Sequence, residues 1–407
     1  MKIKINFILL ILFSFYALVL NILSNGEFTN IGSDFSFYFN HLKYIRDFDI
    51  PFSEWFASPI RYPNELTHEF KVPTPFYSLI FLGPLLLHGS NLLFALQGVG
   101  VAFLTYRAVK IFLSQIYFSF KESILNLILI IGSLNPAFIK DALTSGPVSI
   151  CNLFILYGFI YKNKTFLASF LFSCAAMTRS SYIIYWISML FACFLGSRSF
   201  IKRFLVITFP SVIFYLIFYH FFYSAYSQSS FSYLLSSGMK SMISFDNFFV
   251  TSLDKYFNVT NTSDLLNLKL SFVDVFKIAF NDLKILYGIF VAWIFKVFYS
   301  LGFMHSDLLW DMRSIYIQRF STLLYFLFFM GPAFLTSLIS LLFIPRSNCY
   351  FWLKKERTIL IFSILFLLIH SITWGEPRYA TAVSWIYVAF FVRFISWIRL
   401  NTMQNNY

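Results

Sequence analysis

Apolar residues come in long runs along this chain, divided by short polar segments. Runs near residues 7–24, 123–139, 148–161, 165–178, 180–197, 204–223, 320–344, 358–374 and 379–397 are each read as a helical span. Crossing hydrocarbon takes roughly 20 apolar residues, with every backbone group paired inside the segment. The run 74–113 is broken at "GPLLLHGS", residues 83–90. A further run, 283–303, carries Lys284 and Lys296 and either spans or lies in the interface. The first run follows "MKIKIN", and no A-x-A cleavage pattern comes after it, so it reads as an uncleaved first helix.

Composition agrees with that pattern. The 407 residues are 58% hydrophobic and 12% charged, against about 25% charged in a soluble domain. Mean hydropathy is +0.71. The expected fold is therefore an all-α polytopic membrane protein. It has about 10–12 transmembrane helices in a single integral-membrane domain, residues 1–407. The net charge of +13 sits in short loops between apolar runs, as the positive-inside rule expects, which argues for the lipid bilayer as partner and against nucleic acid. Cys151, Cys174, Cys193 and Cys349 form no C-x-x-C pair and read as small hydrophobes.

The basic clusters set an orientation. They are Lys2 and Lys4; Arg107, Lys110 and Lys121; Lys162 and Lys164; Arg198, Lys202 and Arg203; and Lys354, Lys355 and Arg357. All face the cytoplasm together if 74–113 contributes one net crossing and 283–303 contributes none. That solution has about ten crossings with both termini cytoplasmic. It leaves 25–73, 140–147, 224–319 and "TWGEPRY" outside. The first external loop, 25–73, is expected to carry short juxtamembrane helices and the catalytic group. The second external region, 224–319, includes the interfacial option for 283–303. Phe, Ile, Asn and Lys usage suggests an AT-rich genome, hence a bacterial plasma (inner) membrane.

The first loop contains "NIGSDFSFYFNHLKYIRDFDIPFSEWF", residues 30–56. Ser33 or Asp34 can cap a short helix running to about Arg46, and Pro51 prevents its resumption after "RDFDIP". Asp34 reads either as that cap or as a general base toward a hydroxyl. Asp47 and Asp49 form an Asp-x-Asp pair that holds a divalent cation or stands as solvated charge. Lys71, before Pro73-Thr74-Pro75, can reach a lipid phosphate or snorkel at the interface.

Near the other end, Glu376 and Arg378 flank Pro377 between two apolar runs. An Arg at mid-bilayer costs roughly 2.5–3.5 kcal/mol on insertion scales, so the reading places it at a span end. Pro377 suits the first turn of the last helix, where Glu376 gains from the helix dipole. Arg378 and Tyr379 are then either cavity residues or an interfacial Arg with an aromatic-belt Tyr. Arg179 interrupts a run otherwise free of charge from 165 to 197 and poses the same choice.

The order of these segments carries a resemblance. A short basic N-terminus and one helix lead to a loop opening on "GSDFSFYFNHLKYIRD" and a K-x-P-x-P return. Then follow "LHGSNLLFALQGVGVAFLTYRAVKIF", "LNPAFIKDALTSGPVSICNLFILYGFIYKNK", "ASFLFSCAAMTRSSYIIYW" and, last, "WGEPRYATAVSWIYVAF". The arrangement resembles the integral-membrane glycosyltransferases of the C-type fold, including protein mannosyltransferase and lipid A aminoarabinose transferase relatives. It covers roughly the first half of the chain and the last helix pair.

The resemblance implies a transferase that takes a sugar from a polyprenyl phosphate to an external glycan, lipid or protein acceptor. It implies Asp34 as the base. It implies Lys71, Arg179, Arg378 and Tyr379 as donor-phosphate residues, with Asp47, Asp49 and Glu376 as auxiliaries. Lys71 is displaced by one residue from the family's Lys-Pro-Pro turn, and Asp34 stands where the family often has an acidic pair. Residues 224–319 match nothing in the family.

Such a donor already carries a phosphate leaving group, so the chemistry asks for cations and one base rather than a general acid. One base predicts inversion at the anomeric carbon. Metal use is left open; a divalent cation is compatible but not required. The competing readings are a transporter or flippase, or a polymerase, of lipid-linked glycan. No paired repeat of the kind a flippase uses is visible in the sequence.

Overall fold

The computed structural model describes residues 5–23, 91–116, 122–133, 135–143, 147–161, 163–178, 205–213, 283–302, 323–344, 354–373 and 377–404, with single positions at 202, 216, 277, 280 and 281. Every regular element among them is helical. In chain order these are α1 (Ile5–Leu23), α2 (Asn91–Ile116), α3 (Glu122–Ser133), α4 (Pro136–Leu143), α5 (Pro147–Ile160), α6 (Thr165–Thr178), α7 (Leu283–Ser300), a π-helical turn (Phe326–Met330), α8 (Gly331–Phe343), α9 (Lys354–Thr373) and α10 (Pro377–Gln404). Residues 205–213 are helical as well.

Prolines decide several boundaries. The apolar run 123–139 divides into α3 and α4 because Pro136 lacks an N–H and disfavours a helical Asn135. The Asn135 N–H turns back to the Gly132 carbonyl at 3.1 Å, and α4 then carries Lys140 and Asp141 in a helix. Pro147 opens α5 and Pro377 opens α10, each at a first position where the missing donor costs nothing. Pro332 sits just past the π turn, where the Gly331 N–H reaches the Phe326 carbonyl. The wider π turn relieves the clash a proline ring makes with the preceding turn.

Helix α10 lies at the centre. Val383 to Phe390 are buried on every side, which marks a helix surrounded by others. Trp385 meets Phe138 of α4 edge-on at 5.3 Å, and Phe138 meets Phe13 of α1 at 6.5 Å. Trp385 also covers Gly132 of α3, where any side chain would overlap its ring. On another face Tyr387 packs edge-on with Phe334 of α8 at 5.6 Å.

Helices α5 and α6 are antiparallel neighbours. The Cys151 thiol, near the start of α5, donates to the Ala175 carbonyl, near the end of α6, at 3.3 Å. Phe159 meets Phe172 at 5.4 Å and Phe112 of α2 at 6.0 Å. Ser169 and Ser173 of α6 bond to the carbonyls of Ile207 and Ser211, so the segment 205–213 runs alongside α6 in the same direction. Helix α7 likewise runs with α9. The Trp293 indole N–H donates to the Leu368 carbonyl at 2.8 Å, and Ser300 lies 3.4 Å from Ser371.

Two ends of this bundle can be told apart. At the head, α5 and α10 begin and α6 and α9 end. At the foot stand Lys110 bridging Glu122 at 3.4 Å, Lys164 over the Tyr161 ring, and a buried ion pair between Glu356 of α9 and Arg393 of α10.

Two helices among the described residues, Leu96–Gln115 and Leu323–Phe343, are long and apolar enough to cross a membrane. The outer faces of α6, α7 and α8 are also apolar: Phe166 is 73% exposed, Leu283 76% and Phe343 77%.

Close packing of α2 on α4 requires Gly98, because a Cβ there would fall onto the Leu143 carbonyl. Gly98→Ala should therefore destabilise the protein by about 1–3 kcal/mol. Gly100→Ala, where a Cβ meets nothing within 4 Å, should be neutral or stabilising by up to about 1 kcal/mol. Thermal melts of the two variants in detergent check the contrast, and equal melting would refute the tight α2–α4 contact.

Candidate functional site

Two lines of residues converge on the head. Helix α10 starts at Pro377, which puts Arg378 and Tyr379 in its first turn. Thr381, one turn after Arg378, is 2% exposed and accepts a hydrogen bond from the Asn152 amide of α5 at 3.1 Å. Helix α6 ends at Thr178, immediately before Arg179 in sequence. Thr178 lies one turn past the Cys151 contact at Ala175, so the C-terminus of α6 and the N-termini of α5 and α10 share one end of the bundle.

The polar groups there are locally supported. The Asp141 carboxylate of α4 accepts the Ser149 backbone N–H at 2.6 Å. That bond caps the first turn of α5, whose N–H groups have no partner inside the helix, and a carboxylate there is favoured by the helix dipole. The Ser384 hydroxyl bonds back to the Thr381 carbonyl at 2.9 Å. The Ser149 hydroxyl and the Asn152 carbonyl oxygen are buried without a hydrogen-bond partner among the described residues. Buried polar groups normally find one.

The sequence-derived residues divide clearly. The backbone of Arg378 and Tyr379 is described, at the head. Asp34, Asp47, Asp49, Lys71, Arg179 and Glu376 lie outside the described residues. Among the described residues no three His, Cys, Asp or Glu side chains gather as a metal site. Cys151 and Cys174 are both buried free thiols.

Comparison with protein-family models, with curated proteins and with solved structures finds no match to this chain.

Three residues at the head were not singled out by the sequence reading: Asp141, Asn152 and Thr381. A signal existed for Asn152. It is an amide inside the apolar run "ICNLFIL", and such a group needs a partner. Its partner lies 229 residues away, a separation that no local pattern reveals.

Proposed function

We propose that the chain is a multi-pass membrane glycosyltransferase. It would move a sugar from a polyprenyl-phosphate donor to an external cell-envelope glycan, lipid or protein. The setting is a bacterial plasma membrane, with the head facing outward and both termini cytoplasmic. The observation that carries this reading is the shared end of α5, α6 and α10. Thr178, the last described residue of α6, lies at the same end of the bundle as the first turn of α10, which carries Arg378 and Tyr379.

The membrane setting is supported by the exposed apolar faces of α6, α7 and α8, which water would leave unfavourably solvated. It is also supported by the gathering of basic side chains at the foot, opposite the proposed site. Because α7 runs with α9, it would cross the bilayer in the same sense. This differs from the expectation that 283–303 makes no net crossing, and it keeps the count within the expected range of about 10–12.

In the proposed reaction the Asp34 carboxylate takes the proton of an acceptor hydroxyl. The hydroxyl oxygen attacks the anomeric carbon, and the bond from that carbon to the phosphate oxygen breaks. The electron pair leaves with the polyprenyl phosphate, whose negative charge rises by one. Arg378, with Arg179, Lys71 and Tyr379, would stabilise that charge. A guanidinium fork matches phosphate oxygens and stays protonated throughout. A single displacement inverts the anomeric centre, and the product anomer read by NMR checks this; retention would require a second carboxylate.

Arg378→Gln tests the site directly. Release of polyprenyl phosphate from a labelled polyprenyl-phosphate sugar should fall by about 10²–10³-fold, and Arg378→Lys should fall less. If labelled glycan crosses the bilayer with its phosphate still attached and none is released, the protein is a flippase.

A further inference from the structure

We propose that the Asn152–Thr381 hydrogen bond positions the first turn of α10, holding Arg378 where it meets the phosphate of a polyprenyl-phosphate ligand. The inference rests on the phosphate role proposed for Arg378 and adds two positioning residues to it. Neither acts on the ligand itself.

Asn152 and Thr381 are 4% and 2% exposed, and they join α5 to α10 at 3.1 Å. Thr381 lies one helical turn from Arg378, so a shift of its backbone is transmitted through a single turn. Asn152 is a suitable anchor because α5 is fixed around it. Asp141 caps the helix at Ser149, one turn before Asn152, and the Cys151 thiol ties the neighbouring residue to Ala175 of α6. Below Thr381, Trp385 is clamped between Gly132 and Phe138.

Beyond Thr381 the head end of α10 packs through Val383, Trp385 and Ile386, and apolar contacts tolerate sliding and rotation better than a directed bond does. The ion pair of α10, Arg393 with Glu356, lies at the foot. A hydrogen bond between two buried side chains is met in one register only. This makes the pair the part of the interface that selects a register for the first turn. The Asn152 carbonyl oxygen has no partner among the described residues, so the amide is committed through its donor side to Thr381.

The test uses the full chain in nanodiscs, with undecaprenyl phosphate as the probe and phosphatidic acid as the comparison. Thr381→Val keeps the shape and removes the acceptor. It should raise the Kd for undecaprenyl phosphate about tenfold or more, the value of one lost charge-assisted contact. Thr381→Ser, which keeps the hydroxyl, should bind within about twofold of wild type. Asn152→Leu should match Thr381→Val, and the double variant should lose no more than either, because both remove one bond.

Spin labels on cysteines introduced at positions 161 and 380, with Cys193 and Cys349 replaced and the buried Cys151 and Cys174 kept, should show a broader distance distribution in Thr381→Val than in the chain with Thr381. Undiminished binding in Thr381→Val, or weakened binding with an unchanged distribution, overturns the positioning role alone. Wild-type protein that binds undecaprenyl phosphate no better than phosphatidic acid overturns the proposed function along with it.

Discussion

Arg393→Leu should cost the protein about 3–5 kcal/mol, the typical cost of stranding a buried charge. Glu356 is fully buried in the first turn of α9, and its carboxylate pairs with the Arg393 guanidinium of α10. Removing the guanidinium leaves a fully buried carboxylate without its ion-pair partner. Against a total stability of about 5–15 kcal/mol, that is a large fraction. Its melting temperature in detergent should fall well below wild type.

The double variant Glu356→Leu with Arg393→Leu separates the pair's net value from the cost of breaking it. Burying two apolar side chains there should recover most of the loss and can exceed wild-type stability. A single variant that melts with wild type would show that Glu356 reaches water or another cation once Arg393 is gone. The pair also joins the two helices that meet at Thr373 and Pro377, so its loss should loosen the foot of α10 while leaving the Asn152 contact at the head in place.

Asp34→Asn should lower sugar transfer by about 10²–10⁴-fold, the range that a positioned base contributes. The choice of asparagine separates the two readings of this residue. Asn caps a helix about as well as Asp, so expression, membrane insertion and the level of lipid-linked donor should all stay normal if the proposed base is what has been lost. Asp34→Ala removes both capacities and should additionally lower stability by about 1 kcal/mol. Normal transfer in Asp34→Asn would leave capping as the residue's role, and the mechanism would need another base. Mass spectrometry of envelope glycans from a deletion strain complemented with each variant reads the outcome and identifies the acceptor at once.

Helix existence was legible because its determinants are local. The reading of spans at 148–161 and 165–178 meets helices at Pro147–Ile160 and Thr165–Thr178. Proline at the start and a polar turn between them leave little freedom. The start of α10 at Pro377 follows from the same rule. The break at Asn135–Pro136 was legible in principle, yet the apolar run on both sides of it read as continuous. Asp141 was assigned to a loop, whereas it sits in α4, where its carboxylate caps α5. The cap became visible only with the two helices side by side.

The sequence alone determined that this chain is apolar and basic, that its described residues are helical, and where most of the described helices begin and end. Those properties depend on residues within a turn or two of each other. Only the tertiary structure decided that Asn152 meets Thr381, that Glu356 meets Arg393, and that α7 runs with α9. Each of these depends on the rotation and sliding of one helix against another, set by side chains tens to hundreds of residues apart, such as Gly132 under Trp385. Apolar helices offer many registers of similar energy, and the few buried polar groups choose among them because leaving one unpaired is costly.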